Sequence, residues 1–88
     1  MYSESILVQN KTGLHARPAA AFVQAAAKFK SSITIEKDGK RANAKSMLSL
    51  LSIGASMGST VTIMAEGEDE SQAVTALAEL IRSKFGEE

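Results

Sequence analysis

Short stretches in which apolar and polar residues alternate predict four β-strands. A period of two places successive side chains on opposite faces of a sheet. In the first stretch Ile6 and Val8 lie on one face, while Ser5 and Leu7 lie on the other. The predicted strands are Tyr2–Gln9, Ser32–Lys37, Lys40–Asn43 and Thr60–Glu66. Further inward positions are Ile33, Ile35, Val61, Ile63 and Ala65.

Other stretches repeat their apolar residues at helical spacing. One apolar stripe per stretch is typical of a helix that packs on a sheet. The predicted helices are Ala16–Phe29, Met47–Ile53 and a final helix that follows Asp69 and ends near Lys84. The expected stripes are Ala19, Phe22, Val23, Ala26 and Phe29 in the first helix, and Ala73, Leu77, Leu80 and Ile81 in the last.

Residues that favour turns and helix ends separate these elements. Pro18 is tolerated in the first turn of a helix, because its missing N–H has no intrahelical partner there. Asp38-Gly39 predicts a two-residue hairpin. We expect Ser46 to cap the second helix, and Asp69 and Gln72 to form a capping box at the third.

The elements follow one another in the order βαββαβα, without a repeat or a linker. This order predicts an α+β fold of two layers, in which helices cover one face of a mainly antiparallel sheet. The short, charged strand Lys40–Asn43 suits an edge of that sheet. Periodicity alone leaves the strand order open.

Composition narrows the class of protein. With 88 residues and 44% hydrophobic residues, the chain can form one domain with one core. The absence of cysteine and the single histidine exclude a disulfide scaffold and metal sites built from thiolates or several imidazoles. The longest apolar run, Ala19–Val23, is too short to span a membrane, and the first residues lack the pattern of a signal peptide. We therefore expect a soluble cytoplasmic protein, with a single domain over residues 1–88 and no bound metal or cofactor.

The charges balance over the whole chain but separate along it. Residues 1–45 hold eight basic and three acidic residues, whereas residues 46–88 hold two basic and seven acidic ones. Overall balance argues against a nucleic-acid binder, and the basic stretch Lys37, Lys40, Arg41 and Lys45 lacks an aromatic stacking platform. Two interpretations stay open: differently solvated faces, or a positive surface for acidic partners or phosphate.

The segment from Thr12 to Pro18 concentrates unusual chemistry. His15 precedes the first helix, so its imidazole lies beside the unpaired backbone N–H groups of Ala16 and Arg17 and the positive end of the helix dipole. Such an end binds phosphate, and the Arg17 guanidinium can donate to the same anion. An imidazole at this position can accept a phosphoryl group, and the same donors would then stabilise the phosphate it carries. A helix cap or surface histidine without further function also fits the local chemistry.

Three segments resemble one known family. The run Lys11-Thr12-Gly13-Leu14-His15-Ala16-Arg17-Pro18-Ala19 resembles the active-site signature of HPr, the histidine-containing phosphocarriers of the bacterial phosphoenolpyruvate-dependent sugar phosphotransferase system. Ala44-Lys45-Ser46-Met47-Leu48, followed by Gly54, resembles the family's regulatory-serine region, and Glu66–Glu70 resembles the segment before its final helix. The resemblance covers essentially the whole chain. It implies an HPr-like open-faced β-sandwich, a four-stranded antiparallel sheet covered by three helices.

The resemblance also implies roles for individual residues. His15 resembles the histidine that enzyme I phosphorylates on Nδ1 and that passes the group to sugar-specific enzyme IIA domains, and Arg17 resembles the arginine that assists. Ser46 resembles the serine phosphorylated by HPr kinase/phosphorylase, mainly in Gram-positive-type bacteria. In the family this modification is linked to carbon catabolite control, so a catabolite-control repressor is a further candidate partner. The expected protein is a monomeric carrier rather than an enzyme, with no nucleic acid bound and no membrane insertion.

In the family the first helix and the short second helix form the partner surface. The corresponding docking residues are Ala20, Met47, Leu48, Leu51 and Gly54, with Leu50 beside them. A phosphate on Ser46 would place about −1.5 to −2 charges next to this surface. Two simpler interpretations stay open. Ser46 can be a helix cap without regulation, and some of Met47, Leu48 and Leu51 can pack inward.

One alternative function belongs to the same fold. A regulatory docking module, of the nitrogen-branch or repressor-coactivator type, would use His15 rarely. The repressor-coactivator paralogue of the family lacks the active histidine, so the presence of His15 favours the carrier.

Overall fold

The computed structural model describes residues 1–86. Along the chain the elements are β1 (Tyr2–Leu7), α1 (Ala16–Ala26), β2 (Ser32–Lys37), β3 (Lys40–Asn43), α2 (Met47–Ser52), β4 (Thr60–Glu66) and α3 (Glu70–Arg82), followed by a short 3₁₀ turn, Lys84–Gly86. The predicted order is confirmed, and β2, β3 and β4 have the predicted bounds.

The strands form one antiparallel sheet in the order β1-β4-β2-β3. β4 lies between β1 and β2, with Val61 opposite Ile6 and Ile63 opposite Ile35. β3 pairs with β2 and occupies an edge, as predicted. Asp38 and Gly39 join these two strands with φ of 52° and 81°. Positive φ at both positions is the backbone that an Asp-Gly hairpin turn adopts.

The core lies between one face of the sheet and the helices. α3 packs against β1 and β4, and α1 packs against α2 and α3. Phe22, Leu50 and Leu77 are fully buried side chains from the three helices, and each such burial stabilises the fold by roughly 1.5–3 kcal/mol. The opposite sheet face carries hydroxyl groups, and the Ser5 and Thr62 oxygens lie 2.9 Å apart in a hydrogen bond. The predicted two-layer α+β architecture is confirmed.

Several elements end before their predicted limits. β1 ends at Leu7 because Val8 pairs irregularly with the loop before β4, where its N–H donates to the Ser59 carbonyl and its carbonyl accepts from Gly58. α1 ends at Ala26, and the Phe29 N–H then donates to the Ala26 carbonyl at 3.2 Å in a tighter turn. Such bonds to the third preceding residue are common where α-helices end.

The ends of α2 and α3 also differ from the prediction. α2 ends at Ser52, and Ile53 caps it before Gly54, whose φ is 66°. α3 ends at Arg82 because Lys84 and Phe85 adopt left-handed φ of 58° and 56°. The expected buried stripes are confirmed at most positions, but Val23, Phe29 and Leu80 are only half-buried and pack against the margin of the core.

The predicted capping box at α3 is wrong. Asp69 is the N-cap residue but makes no side-chain cap hydrogen bond. Its carboxylate accepts instead from the Lys30 N–H at 2.9 Å, from the Ser31 N–H at 3.0 Å and from the buried Ser31 hydroxyl. The Gly67 N–H, at the same helix start, donates to Glu70 at 3.1 Å. Asp69 thus fastens the start of α3 to the segment that enters β2.

Hydrogen bonds lower the pKa of both acids at the start of α3. The Ser31 hydroxyl, followed by the Lys30 and Ser31 N–H groups, lowers the pKa of Asp69 to about 2. The Gly67 N–H and the N-terminal ammonium group lower the pKa of Glu70, and that ammonium lies 3.2 Å from the Glu70 carboxylate. These partners favour the ionised carboxylates because each donor stabilises negative charge.

Among residues 1–86, no helix is long and apolar enough to cross a membrane.

Candidate functional site

A tight loop carries the chain from β1 to α1. The Asn10 side-chain amide donates to the Gly13 carbonyl at 2.8 Å, and the Gly13 N–H donates to the Asn10 carbonyl at 3.1 Å. The next N–H, that of Leu14, donates to the Ala55 carbonyl at 3.0 Å, and the Leu14 side chain is buried. The residue before His15 is therefore fixed by both its backbone and its side chain.

Gly13 is required by this packing. Its φ is 60°, and a Cβ built there would lie 2.6 Å from the Ala55 oxygen and 2.6 Å from the Ser56 Cα. Both neighbours are backbone atoms, which cannot move as a side-chain end can. Sequence reasoning missed the support given by Leu14, Ala55 and Ser56. Gly13 stands in the motif, but only the tertiary structure shows what packs against it.

His15 is the N-cap residue of α1. Its backbone is extended, with φ of −89° and ψ of −172°, and its carbonyl accepts from the Ala19 N–H at 2.7 Å. Its imidazole makes no cap hydrogen bond and is exposed. The N–H groups of Ala16 and Arg17 lie in the first turn, where an α-helix offers no acceptor. The predicted position of His15 at this helix end is confirmed.

Arg17 shares a surface cavity with His15. The cavity has a volume of about 300 Å³ and is lined by Thr12, His15, Ala16, Arg17 and Pro18. Arg17 is exposed and forms no salt bridge within residues 1–86. An anion held beside the imidazole can therefore receive hydrogen bonds from a helix N-terminus and from a guanidinium.

Ser46 is the N-cap residue of α2, as predicted. Its hydroxyl accepts from the Ser49 N–H at 3.3 Å, and its carbonyl accepts from the Leu50 N–H at 3.0 Å. The side chain is half-buried. This hydroxyl has a structural partner, whereas the His15 imidazole has none at its own helix start.

The docking residues named from the sequence differ in exposure. Leu48 is 82% exposed and Leu51 is 39% exposed. Gly54 is also exposed, whereas Ala20 and Met47 are half-buried and Met47 packs against the core. α2 packs against α1, and a docking surface shared by the two helices remains our prediction.

Leu50 does not belong to that surface. Its side chain is fully buried, as is most of Ile53, the C-cap residue of α2. Leu50 and Ile53 lie one helical turn apart and form the inward stripe of this short helix. The expectation that Leu50 lies in the docking patch is therefore wrong.

Within residues 1–86, no group of three or more histidine or acidic side chains is arranged to hold a metal ion. The groups that the His15 site offers to a ligand include an imidazole, a guanidinium and backbone N–H groups.

Comparison with known proteins identifies the family. A family profile described as "PTS HPr component phosphorylation site" matches residues 2–83. The chain belongs to the HPr family. The crystal structure of HPr-C-His from Thermoanaerobacter tengcongensis is 57% identical, covers 100% of this chain and 99% of that one, and superposes with a TM-score of 0.98. The open-faced α+β sandwich implied by the sequence is thus the fold of an HPr structure.

Two further relatives extend the comparison. The HPr-like protein Crh of Halalkalibacterium halodurans is 50% identical over 84 residues, which are 96% of this chain and 100% of the relative. An HPr dimer from Thermoanaerobacter tengcongensis is 56% identical, covers 99% of this chain and 100% of that one, and has a TM-score of 0.80. HPr proteins are carriers of phosphate rather than catalysts. A monomer remains our prediction for this chain.

Proposed function

We propose that this chain is a phosphoryl carrier that receives phosphate from enzyme I on His15 and passes it to enzyme IIA domains. The observation that carries the proposal is the exposed His15 imidazole, which its helix does not use as a cap and which shares a cavity with Arg17. In the loading step, a lone pair on His15 Nδ1 forms a bond to phosphorus as the bond from phosphorus to enzyme I breaks. The unloading step is the same displacement, with a group on enzyme IIA as the acceptor.

The residues around His15 suit the phosphorylated state. The first-turn N–H groups of Ala16 and Arg17 can donate to phosphoryl oxygens, and the guanidinium of Arg17 can add a charge-assisted hydrogen bond. The backbone donors are fixed by the helix before phosphate arrives, so they need little reorganisation as negative charge develops. The loop that holds Gly13 and Leu14 on Ala55 keeps the whole arrangement in place.

The exposed leucines of α2 supply a docking surface for these partners. Leu48 and Leu51 present apolar area on α2, and Arg17 presents positive charge on α1. This combination suits acidic partners with an apolar centre, because charge guides encounter while apolar contact stabilises the complex. We expect each complex to be transient and the carrier to act as a cytoplasmic monomer of one domain.

We also propose that Ser46 is a regulatory phosphorylation site for an HPr kinase/phosphorylase. A phosphate is tolerated at this position because it caps the start of α2. The added charge lies two residues from Leu48, so it weakens docking to acidic partners of His15. A catabolite-control repressor is the candidate reader of the phosphorylated form.

The test is phosphate transfer from phosphoenolpyruvate in the presence of enzyme I, read by intact mass and phosphorus NMR. We expect one acid-labile phosphate on the wild type and none on His15→Ala. A Lys28→Ala variant, which removes an exposed cation at the other end of α1, serves as the matched control and should load normally. Failure of the wild type to load with several bacterial enzymes I would contradict the proposal.

A regulatory docking module that uses His15 rarely is not favoured, because it would not account for an exposed imidazole beside Arg17.

A further inference from the structure

A second cavity lies at the end of the molecule away from His15. Its volume is about 490 Å³, larger than the cavity beside His15. It lies where β2 begins and β3 ends, and its lining includes Lys30, Ser32, Thr34, Arg41, Asn43 and Lys45. Lys30 follows α1 while His15 precedes it, and an 11-residue helix is about 16 Å long. The two cavities are therefore separate sites.

Three cations line this cavity, and each retains free donors. The Lys45 ammonium donates to the Phe29 carbonyl at 2.7 Å, but an ammonium group has three donors. The Arg41 Nε lies 3.3 Å from the Glu36 carboxylate, and a guanidinium has five N–H donors. Lys30 is exposed and forms no salt bridge within residues 1–86.

Uncharged donors stand among these cations. Ser32 and Thr34 of β2 alternate with inward-facing isoleucines, so their hydroxyl groups lie on the uncovered face of the sheet. Asn43 is opposite Thr34 in the register. The Asn43 side-chain oxygen accepts from the Lys45 N–H at 2.9 Å, and the amide nitrogen of Asn43, which also lines the cavity, is a further potential donor.

Nearby carboxylates moderate the positive charge without lining the cavity. Glu36 pairs with Arg41, and Glu66 lies opposite Ser32 on the neighbouring strand. Asp69 accepts the backbone N–H groups of Lys30 and Ser31. The cavity wall contains cations, hydroxyls and an amide together with Ile33 and Ala42, so it suits a ligand that offers acceptor oxygens and negative charge.

We propose that this cavity, the basic groove, binds a small phosphate ester. Lysine and arginine side chains with hydroxyl donors are the groups that recognise phosphate oxygens. The volume exceeds that of a single phosphate ion and lies within the range of small-molecule pockets. An organic group can thus occupy the part of the groove beside Ser32 and Thr34. The basic groove contains none of the residues around His15, so binding there is independent of phosphoryl transfer.

The test is an amide NMR titration of the intact protein with glucose 6-phosphate as the probe, at constant ionic strength. We expect saturable shifts at residues 30–34 and 41–45. Lys30→Gln and Arg41→Gln should each weaken binding at least five-fold. Lys40→Gln removes the same charge from the same strand but from the opposite face, and should change the affinity less than two-fold. Glu36→Gln should tighten binding, because it releases Arg41.

Several results would overturn the basic groove as an ester site. If sodium chloride caused the same amide shifts as glucose 6-phosphate, the shifts would report general screening of charge and not binding of the ester. Equal weakening by Lys40→Gln would show that only net charge matters. If inorganic phosphate bound as tightly as the ester, the organic group of the ester would not contribute to binding. Shifts confined to residues 12–18, and lost in Arg17→Ala, would place the anion at His15 instead.

Discussion

α1 and α2 both start at an N-cap residue with an extended backbone, but the side chains of the two cap residues have different roles. His15 and Ser46 are both extended N-cap residues whose carbonyls accept the first helical hydrogen bond. The Ser46 hydroxyl is bonded to the Ser49 N–H, whereas the His15 imidazole is exposed and bonded to nothing in its helix. A side chain that the fold does not need is available for chemistry.

Because of this difference, different residues stabilise the two helix starts. Because the imidazole does not hold the start of α1, that start is held by the preceding loop, through Leu14 on Ala55 and Gly13 against Ser56. At α2 the hydroxyl of Ser46 itself stabilises the helix start, through its hydrogen bond from the Ser49 N–H. The comparison therefore predicts which substitutions change stability and which change transfer.

The largest effect is expected at Gly13. Gly13→Ala combines left-handed backbone with a Cβ that overlaps two backbone neighbours, and we expect it to lower the free energy of unfolding by about 2–4 kcal/mol. Gly39→Ala is the matched control, because its φ is also positive but nothing lies within 4 Å of a built Cβ. Chemical denaturation of both variants measures the difference. Equal losses would show that the contact with Ala55 and Ser56 is unimportant.

The next effect is expected at Arg17. Arg17→Ala removes a donor that the account assigns to the transferring phosphoryl group, so we expect loading of His15 to slow by about 10–100-fold. The melting temperature should change little, since Arg17 is exposed. Rapid-quench kinetics with enzyme I measures the rate, and Arg17→Lys should recover part of it. A lost cooperative melt would assign Arg17 to the fold instead.

A smaller effect separates capping from charge at Ser46. Asp and Asn both cap helices as well as Ser, so Ser46→Asp and Ser46→Asn should keep α2 stable. Only the aspartate adds negative charge beside Leu48, and we expect it to slow loading several-fold while Ser46→Asn loads normally. The same kinetic assay compares them. Equal rates in both variants would contradict a regulatory role for charge at Ser46.

The smallest effect is a pH dependence at the start of α3. The pKa of Asp69 is lowered to about 2 from its ordinary value of 3.8. Its contribution to stability is therefore complete only above about pH 5 and is lost progressively as the pH falls towards 2. We expect Ser31→Ala, which removes the strongest donor, to flatten this part of the stability profile. Thermal melts from pH 2 to pH 6 measure it, and an unchanged profile would contradict the assigned bonds.

Local patterns predicted most of the fold because they depend on neighbouring residues. Alternation located β4, Pro18 located the start of α1, and the cap residue Ser46 located the start of α2. The Asp69 carboxylate was misassigned because its partners, Lys30 and Ser31, are distant in sequence. A carboxylate at a helix start can cap the helix or accept hydrogen bonds from donors that folding brings close to it, and the sequence pattern shows only the first possibility. The strand order was open for the same reason.

The candidate site divides in the same way. The position of His15 and Arg17 at one helix start followed from the sequence, because only Ala16 separates them. Leu50 was misplaced because four of the six residues of α2 are apolar, so the pattern does not single out an inward side. The support of Gly13 by Ala55 was not predictable, since it joins two loops about 40 residues apart.

The most direct test measures phosphate loading and unfolding free energy on the same two variants, His15→Ala and Ser46→Ala. We expect His15→Ala to lose all phosphate from enzyme I and to keep its stability within about 0.5 kcal/mol. Ser46→Ala should load normally and lose about 1 kcal/mol, because its helix loses a cap. A stable His15→Ala protein that still accepts an acid-labile phosphate would contradict the account.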